Sequence, residues 1–384
     1  MKILVLAAFY HPYRGGYSRS IEELLVRLVR LGHQITVVTC NTEKAALEEI
    51  KSGIKIIRIP CWNPLWLNAS YPIVAPWALV KIWRQLKQEN YQIIYTQTRF
   101  YPTTLVGFVF AKINKIPVVH TEQGSQHTVA VNPLVFIAGW LIDHTFGWLV
   151  CRFSDAVVGV SHKACDFCRH LGAKEPILIY NSINVDLWRI ESLAGREITF
   201  VGRLIYAKGV QDLIKAAALM KSKIKNQKSK INIVGDGPYR PYLERLTSEL
   251  GLQNYVEFWG ELDRDGIKEV FQRTAIFVNP SYSEGLPVSV LEAGAAGLPM
   301  VAADAGGTRD ILTDDNYGLL FKPREVEQLC QKIEFLLNDE ALRQKIGKNV
   351  KNHIQLKFNP LLCAASTEKL FLETIARWAK KRSG

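Results

Sequence analysis

Short apolar runs alternate along the chain with longer amphipathic segments, the pattern of strands and helices arranged around parallel sheets. In the first half the apolar runs predict strands at Lys2 to Ala8, Gln34 to Thr39, Ile54 to Ile59, Tyr91 to Thr96, Ile116 to His120, Asp155 to Val160 and Pro176 to Tyr180. The second half repeats the scheme at Glu197 to Val201, Ile231 to Val234, Tyr255 to Trp259, Ala275 to Asn279 and Pro299 to Ala302. Ile21, Leu24, Leu25, Leu28 and Leu31 fall at helical spacing behind Ser18, read as a cap, and Gly32 stops that helix. From Glu325 onward the pattern is almost wholly helical. Mixed polarity without a period between Asn184 and Arg196 places a domain boundary there, giving domains at 1–186 and 187–360. Val129 to Val150 is the most apolar region. Asn132, Pro133, Asp143 and His144 interrupt it, so it reads as no membrane span.

Composition adds class and compartment. A chain of 384 residues with 48% hydrophobic and 22% charged residues is globular and long enough for two cores. Seven thinly spread cysteines do not form a disulfide framework, and Met1-Lys2 runs straight into an apolar strand instead of a signal peptide, so a cytoplasmic location is expected. The net charge is +12, with 20 basic against 12 acidic residues up to Ile190 and 28 against 24 beyond it. That surplus suits nucleic acid, an anionic membrane or phosphorylated small molecules and does not choose among them. The densest run, Lys221 to Lys230, reads as a solvated loop.

Three loops carry candidate chemistry. His11-Pro-Tyr-Arg-Gly15-Gly16-Tyr-Ser18 joins a strand to a helix, and its paired glycines allow a ligand close to the backbone or serve a tight turn. Neither this loop nor Gly235-Asp-Gly237-Pro-Tyr-Arg240 supplies the third glycine of a dinucleotide fingerprint. Phe200-Val-Gly202-Arg203 with Lys208-Gly209 puts two cations after a strand, suited to a diphosphate. Pro280-Ser-Tyr-Ser-Glu284-Gly285-Leu286-Pro287-Val288 leads into a helix that carries Glu292. Its free N–H groups at Val288 would bind a phosphate, and the two glutamates would hold sugar hydroxyls. The alternative is a core helix with two surface glutamates. Cys165-Asp-Phe-Cys168, flanked by His162 and His170, has a metal-like spacing, but no second cysteine pair follows and no metal site is assigned.

Together with Leu-Gly-His33-Gln-Ile-Thr-Val-Val-Thr and Gly235-Asp-Gly-Pro238, these motifs resemble family four retaining glycosyltransferases over essentially the whole chain, the Glu284-x7-Glu292 block being the most specific. The resemblance implies an α/β fold of GT-B type: two Rossmann-like domains facing each other across a cleft, with a final helix, residues 361–384, returning to the N-terminal domain. It implies that Arg203 and Lys208 neutralise the donor diphosphate, Glu292 holds the ribose, Glu284 holds the donor sugar and His120 lies near the anomeric centre. Gly15, Gly16, Gly202, Gly235, Gly285, Leu286 and Val288 join the donor-binding set. Asn181-Ser182-Ile183 departs from the family's usual Asn-Gly-Val, which puts the local turn in doubt.

The function expected is transfer of a sugar from a UDP- or GDP-sugar to an acceptor hydroxyl in envelope glycan or glycolipid biosynthesis, without metal or cofactor. The partners expected are the nucleotide-sugar donor and a lipid-linked or glycan acceptor, with no nucleic acid. An epimerase, a phosphorylase and a catalytically silent nucleotide-sugar-binding protein stay open as alternatives. Trp62, Trp66, Trp77, Trp83, Trp140 and Trp148 cluster in two apolar stretches of the more basic half, so peripheral contact with the inner membrane face is also expected. The alternative is that they fill a helical layer of the core.

Overall fold

The computed structural model describes residues 1–13, 15–62, 71–190, 195–221 and 229–383. Arg14, Trp66 and most of the Lys221 to Lys230 run lie outside them. The chain forms two compact units. One comprises Met1–Thr128, Asn132–Ser182 and Pro360–Gly384, the other Val129–Val131 and Ile183–Asn359.

In the first unit, β1 (Lys2–Leu6), β2 (Gln34–Cys40), β3 (Glu48–Lys51), β4 (Ile54–Ile59), β7 (Ile93–Gln97), β8 (Val118–Glu122), β9 (Ala156–Gly159) and β10 (Ile177–Leu178) form one sheet in the order β10-β9-β8-β7-β1-β2-β4-β3. All pairings are parallel except that of β3 with β4. The central strands are buried and mostly apolar because both faces are covered. Ile3, Val5 and Ala7 pack with Leu24, Leu25 and Leu28 of the helix Gly16–Arg30 on one face, while Leu4 and Leu6 pack with Phe108 and Phe110 on the other. The last helix, Pro360–Ser383, belongs to this unit: Phe371 lies edge-on to Tyr95 and is fully buried, and Glu368 meets His33 at 2.7 Å.

The second unit's sheet contains β11 (Glu197–Val201), β12 (Ile231–Val234), β13 (Val256–Gly260), β14 (Thr274–Asn279), β15 (Met300–Ala303) and β16 (Leu319–Phe321), parallel in the order β13-β12-β11-β14-β15-β16. The chain steps outward from β11 to β13, then crosses to β14 and proceeds the other way. The order therefore reverses between β11 and β14, and an open α/β sheet binds ligands outside the strand ends at such a point.

The strands expected from the apolar runs are all present. The sequence reading missed β3, whose Glu-Glu-Ile-Lys is polar because it is an edge strand, the short β16, and the hairpin β5 (Cys61–Trp62) with β6 (Ile73–Val74). Ser18 is not the cap of the first helix. Gly15 holds that position, and Ser18 is buried inside the helix with its hydroxyl donating to the Tyr13 carbonyl. Asp143 and His144, which interrupt the apolar run, do not end its helix. Pro133–Phe153 is one helix that passes through a π-helical turn, Asp143–Gly147, with Asn132 as its N-cap. By length and composition it can cross a membrane, with a mean hydropathy of 1.6.

Candidate functional site

The second unit gathers the residues expected to bind the donor at the point where its strand order reverses. β11 leads into Gly202 and Arg203, then the 3-10 turn Tyr206–Lys208, and β14 leads into the loop of Glu284. Gly209, at φ 65°, permits their meeting, since a Cβ there would stand 1.9 Å from the Pro280 carbonyl oxygen. Backbone bonds fasten the loops: the Tyr282 N–H donates to Ala207 O at 2.8 Å, and the Leu204 N–H to Asp236 O at 2.9 Å. Gly235 approaches as closely from β12, where a Cβ would lie 2.0 Å from Gly202 O. Gly209→Ala should therefore part the Lys208 and Glu284 loops. A loss of about 100-fold in kcat/KM is expected from misplacement on the ångström scale, together with ~1–3 kcal/mol of strain; steady-state kinetics and denaturant titration check both.

Lys208 Nζ donates to Glu284 Oε1 at 2.7 Å, and Asn279 Nδ2 approaches the same oxygen at 3.5 Å. Glu284 and Glu292 are both buried, 7% and 2% exposed, which rules out two surface glutamates. Arg203 is exposed and Leu286 buried. The helix Val288–Ala296 starts after Pro287, which makes no side-chain cap bond, and the first N–H groups of a helix have anion-binding character. Ahead of it, the Tyr282 hydroxyl donates to Asp212 Oδ2 at 2.8 Å and accepts from Gln211 Nε2 at 2.8 Å, while the Arg324 guanidinium lies 4.8 Å from its ring. Burial and the neighbouring Asp212 carboxylate push the Tyr282 hydroxyl well above its usual range, so it stays protonated and holds the Glu284 loop against the helix Val210–Leu219. Tyr282, Asp212 and Asn279 carried no spacing signal that sequence reasoning could use.

In the first unit, Gly15 precedes and Gly16 begins the first helix, and a Cβ on Gly15 would collide with the Tyr13 ring at 2.5 Å. His120 is fully buried in the middle of β8. Its Nδ1 lies 3.0 Å from Thr96 Oγ1, while Nε2 has no hydrogen-bond partner among the described residues and stands 3.6 Å from Glu122 Oε2. Glu122 and Asp143 both bind the buried Arg99, each at 2.8 Å. Burial pushes the Glu122 carboxyl up, but the Arg99 charge, His120 and the Gly124 N–H outweigh it and hold it at about 2. Ser182 is buried and adopts no left-handed backbone, so the serine fits its turn without strain.

Cys165 and Cys168 are buried on the helix His162–His170. His170 meets His127 and His144, a grouping that sequence reasoning missed.

Two Rossmann-like units, with cations and buried carboxylates where the second sheet reverses order, define a glycosyltransferase of GT-B architecture. The family model described as glycosyl transferases group 1 matches residues 191–353, and that of Glycosyltransferase Family 4 matches residues 14–187. The chain is 35% identical to the sulfoquinovosyl transferase SQD2 of Arabidopsis thaliana, covering 98% of this chain and 75% of that protein. Among solved structures it resembles a sucrose-phosphate synthase from Thermosynechococcus elongatus, with a TM-score of 0.81, 20% identity and coverage of 98% and 99%. Anabaena HepE in complex with UDP-glucose gives a TM-score of 0.74 at 19% identity, with coverage of 98% and 100%. The chain belongs to glycosyltransferase family four.

Proposed function

We propose that this glycosyltransferase moves a sugar, with retention of anomeric configuration, from a UDP- or GDP-sugar to a hydroxyl of an acceptor presented at the inner membrane face, in glycolipid or envelope-glycan synthesis. The observation that carries the donor reading is the Lys208–Glu284 pair, Glu284 lying in the loop that leads into the helix carrying the buried Glu292. HepE, of the same fold, was solved with UDP-glucose, which supports a uridine nucleotide as the first donor to try. As the bond between sugar and phosphate stretches, negative charge grows on the departing diphosphate. Arg203, Lys208 and the N–H groups at Val288 stabilise that charge, so the chemistry needs no metal or cofactor. Glu284 positions the donor sugar and Glu292 the ribose. The leaving phosphate accepts the acceptor's proton on the face it departs from, which retains configuration. His120, whose Nε2 faces Glu122, lies near the anomeric centre.

Exposure of apolar residues in the first unit carries the membrane reading. Trp62, Trp77, Trp140 and Trp148 are 58%, 66%, 43% and 45% exposed, and Leu134, Phe136, Ile137 and Leu141 are exposed on the helix that carries Trp140 and Trp148. Among the tryptophans expected at an interface, Trp83 alone of the described ones packs into the core, against Phe110. The helix Pro133–Phe153 lies on the unit and does not cross a bilayer alone: Asp143 binds the buried Arg99, and a Cβ on Gly139 would meet Thr128 at 3.0 Å. The +12 charge adds attraction to anionic headgroups.

Cosedimentation with anionic and neutral vesicles at low and high salt tests this. Binding to anionic vesicles should weaken with salt and fall at least about tenfold in the double variant Trp140→Ser, Leu141→Ser. Failure to bind either vesicle at low salt would favour a soluble acceptor. Incubation with donor alone distinguishes the alternative activities, since an epimerase converts the donor without an acceptor.

A further inference from the structure

His127, His144 and His170 come from three separate segments of the first unit. His127 lies in the loop that follows β8, His144 in the π-helical turn, and His170 at the end of the helix His162–His170. One ring nitrogen of each lies within 4.8 Å of the other two. The His127 and His144 rings stack with centroids 5.1 Å apart, and His170 stands edge-on to both at 5.5 and 5.7 Å.

Two of the three rings engage their Nδ1 with a protein oxygen. His127 Nδ1 donates to Asp143 Oδ2 at 2.7 Å, and His144 Nδ1 donates to the Trp140 carbonyl at 2.9 Å. Both rings therefore carry their proton on Nδ1 and present the Nε2 lone pair. A carboxylate or carbonyl behind each imidazole is the outer shell that metal-binding histidines use to fix tautomer and orientation. Asp143 is itself fully buried and clamped by Arg99, so its hold on His127 is rigid. The π turn sets this up by aiming Asp143 inward and its neighbour His144 outward, and π turns recur at functional sites.

We propose that these three histidines bind one divalent transition-metal ion of the zinc class, with water in the fourth position. Imidazole donors suit zinc, copper and nickel over magnesium or calcium. Nitrogens around tetrahedral zinc stand roughly 3.4 Å apart, as Zn–N bonds of about 2.0 Å require. Closing from the observed spacing needs shifts on the order of 1 Å, and the exposed rings of His144 and His170 permit them. The ion fastens the loop beyond Glu122 to the apolar helix and to the end of the helix His162–His170. It takes no part in the diphosphate chemistry of the second unit, and the assignment does not depend on the donor or acceptor proposed above.

The test uses the full chain without a polyhistidine tag, stripped with chelator and titrated with zinc sulfate or cobalt chloride. Wild type should bind one equivalent and gain thermal stability, and cobalt should give the absorption of a tetrahedral site. His144→Ala and His170→Ala, each replacing an exposed ring, should weaken zinc by about 100-fold or more and abolish the thermal gain, while His162→Ala should change neither. His170→Cys should keep stoichiometric binding and add a thiolate-to-cobalt charge-transfer band, an outcome that mere ring stacking would not produce. Less than one equivalent bound by wild type, or wild-type affinity in both His144→Ala and His170→Ala, would overturn the proposal.

Discussion

Lys208→Ala should lower kcat/KM for sugar transfer by about 100-fold, some 3 kcal/mol of transition-state stabilisation, and Arg203→Ala should do the same. Lys208 ends the turn between β11 and the helix Val210–Leu219, and its ammonium is held at the site by Glu284 before any donor arrives. A cation placed in advance needs little reorganisation as charge develops on the leaving diphosphate. Both variants should keep wild-type secondary structure, because neither side chain is part of the buried core. Losing the positive charge at one position should leave the other working, so the double variant should lose more than either alone. Near-normal rates in both single variants would contradict the clamp.

Arg99→Met should cost the first unit about 3–5 kcal/mol, because it leaves Glu122 and Asp143 as buried charges without their partner. The same network sets a pH dependence. The folded-state pKa of Glu122 lies at about 2, below its ordinary 4.5, so the unfolded chain takes up the proton first as pH falls. The stability this group contributes is complete above about 4.5 and is lost progressively as pH falls toward 2, in all on the order of 3 kcal/mol. Denaturant titrations through this window should show a slope about one proton smaller in Glu122→Gln than in wild type. Equal slopes would show that Glu122 does not carry the effect.

The parallel strands were legible in the sequence because burial on both faces makes them continuously apolar: Ile93 to Tyr95 and Ile276 to Val278 have no polar side to confuse the pattern. The strand Glu48–Lys51 was not, since one edge faces solvent and the side chains follow it. The loops proposed to hold the donor stand out in the sequence because glycine, arginine, lysine and glutamate crowd short stretches just after strands. The Arg99–Glu122–Asp143 network was invisible because its members lie 23 and 44 residues apart and meet only through the sheet order and the π turn. The three histidines escaped for the same reason. Reading His170 against its near neighbours Cys165 and Cys168 looked along the helix, whereas its partners come from across the unit. That one helix runs through Asp143 was not legible, because a polar residue inside an apolar run looks like an interruption. Here its side chain turns inward to a buried arginine and the helix continues.

The central claim is that the point where the second sheet reverses order binds the diphosphate of a nucleotide sugar. Calorimetric titration with UDP, GDP and ADP measures it directly, on wild type and on the double variant Arg203→Ala, Lys208→Ala. One of the three nucleotides should bind wild type as a single saturable site, and its affinity should fall by about 100-fold or more in the variant as two charge-assisted contacts are lost. Equal affinity of that nucleotide for wild type and variant would place the diphosphate elsewhere and contradict the account.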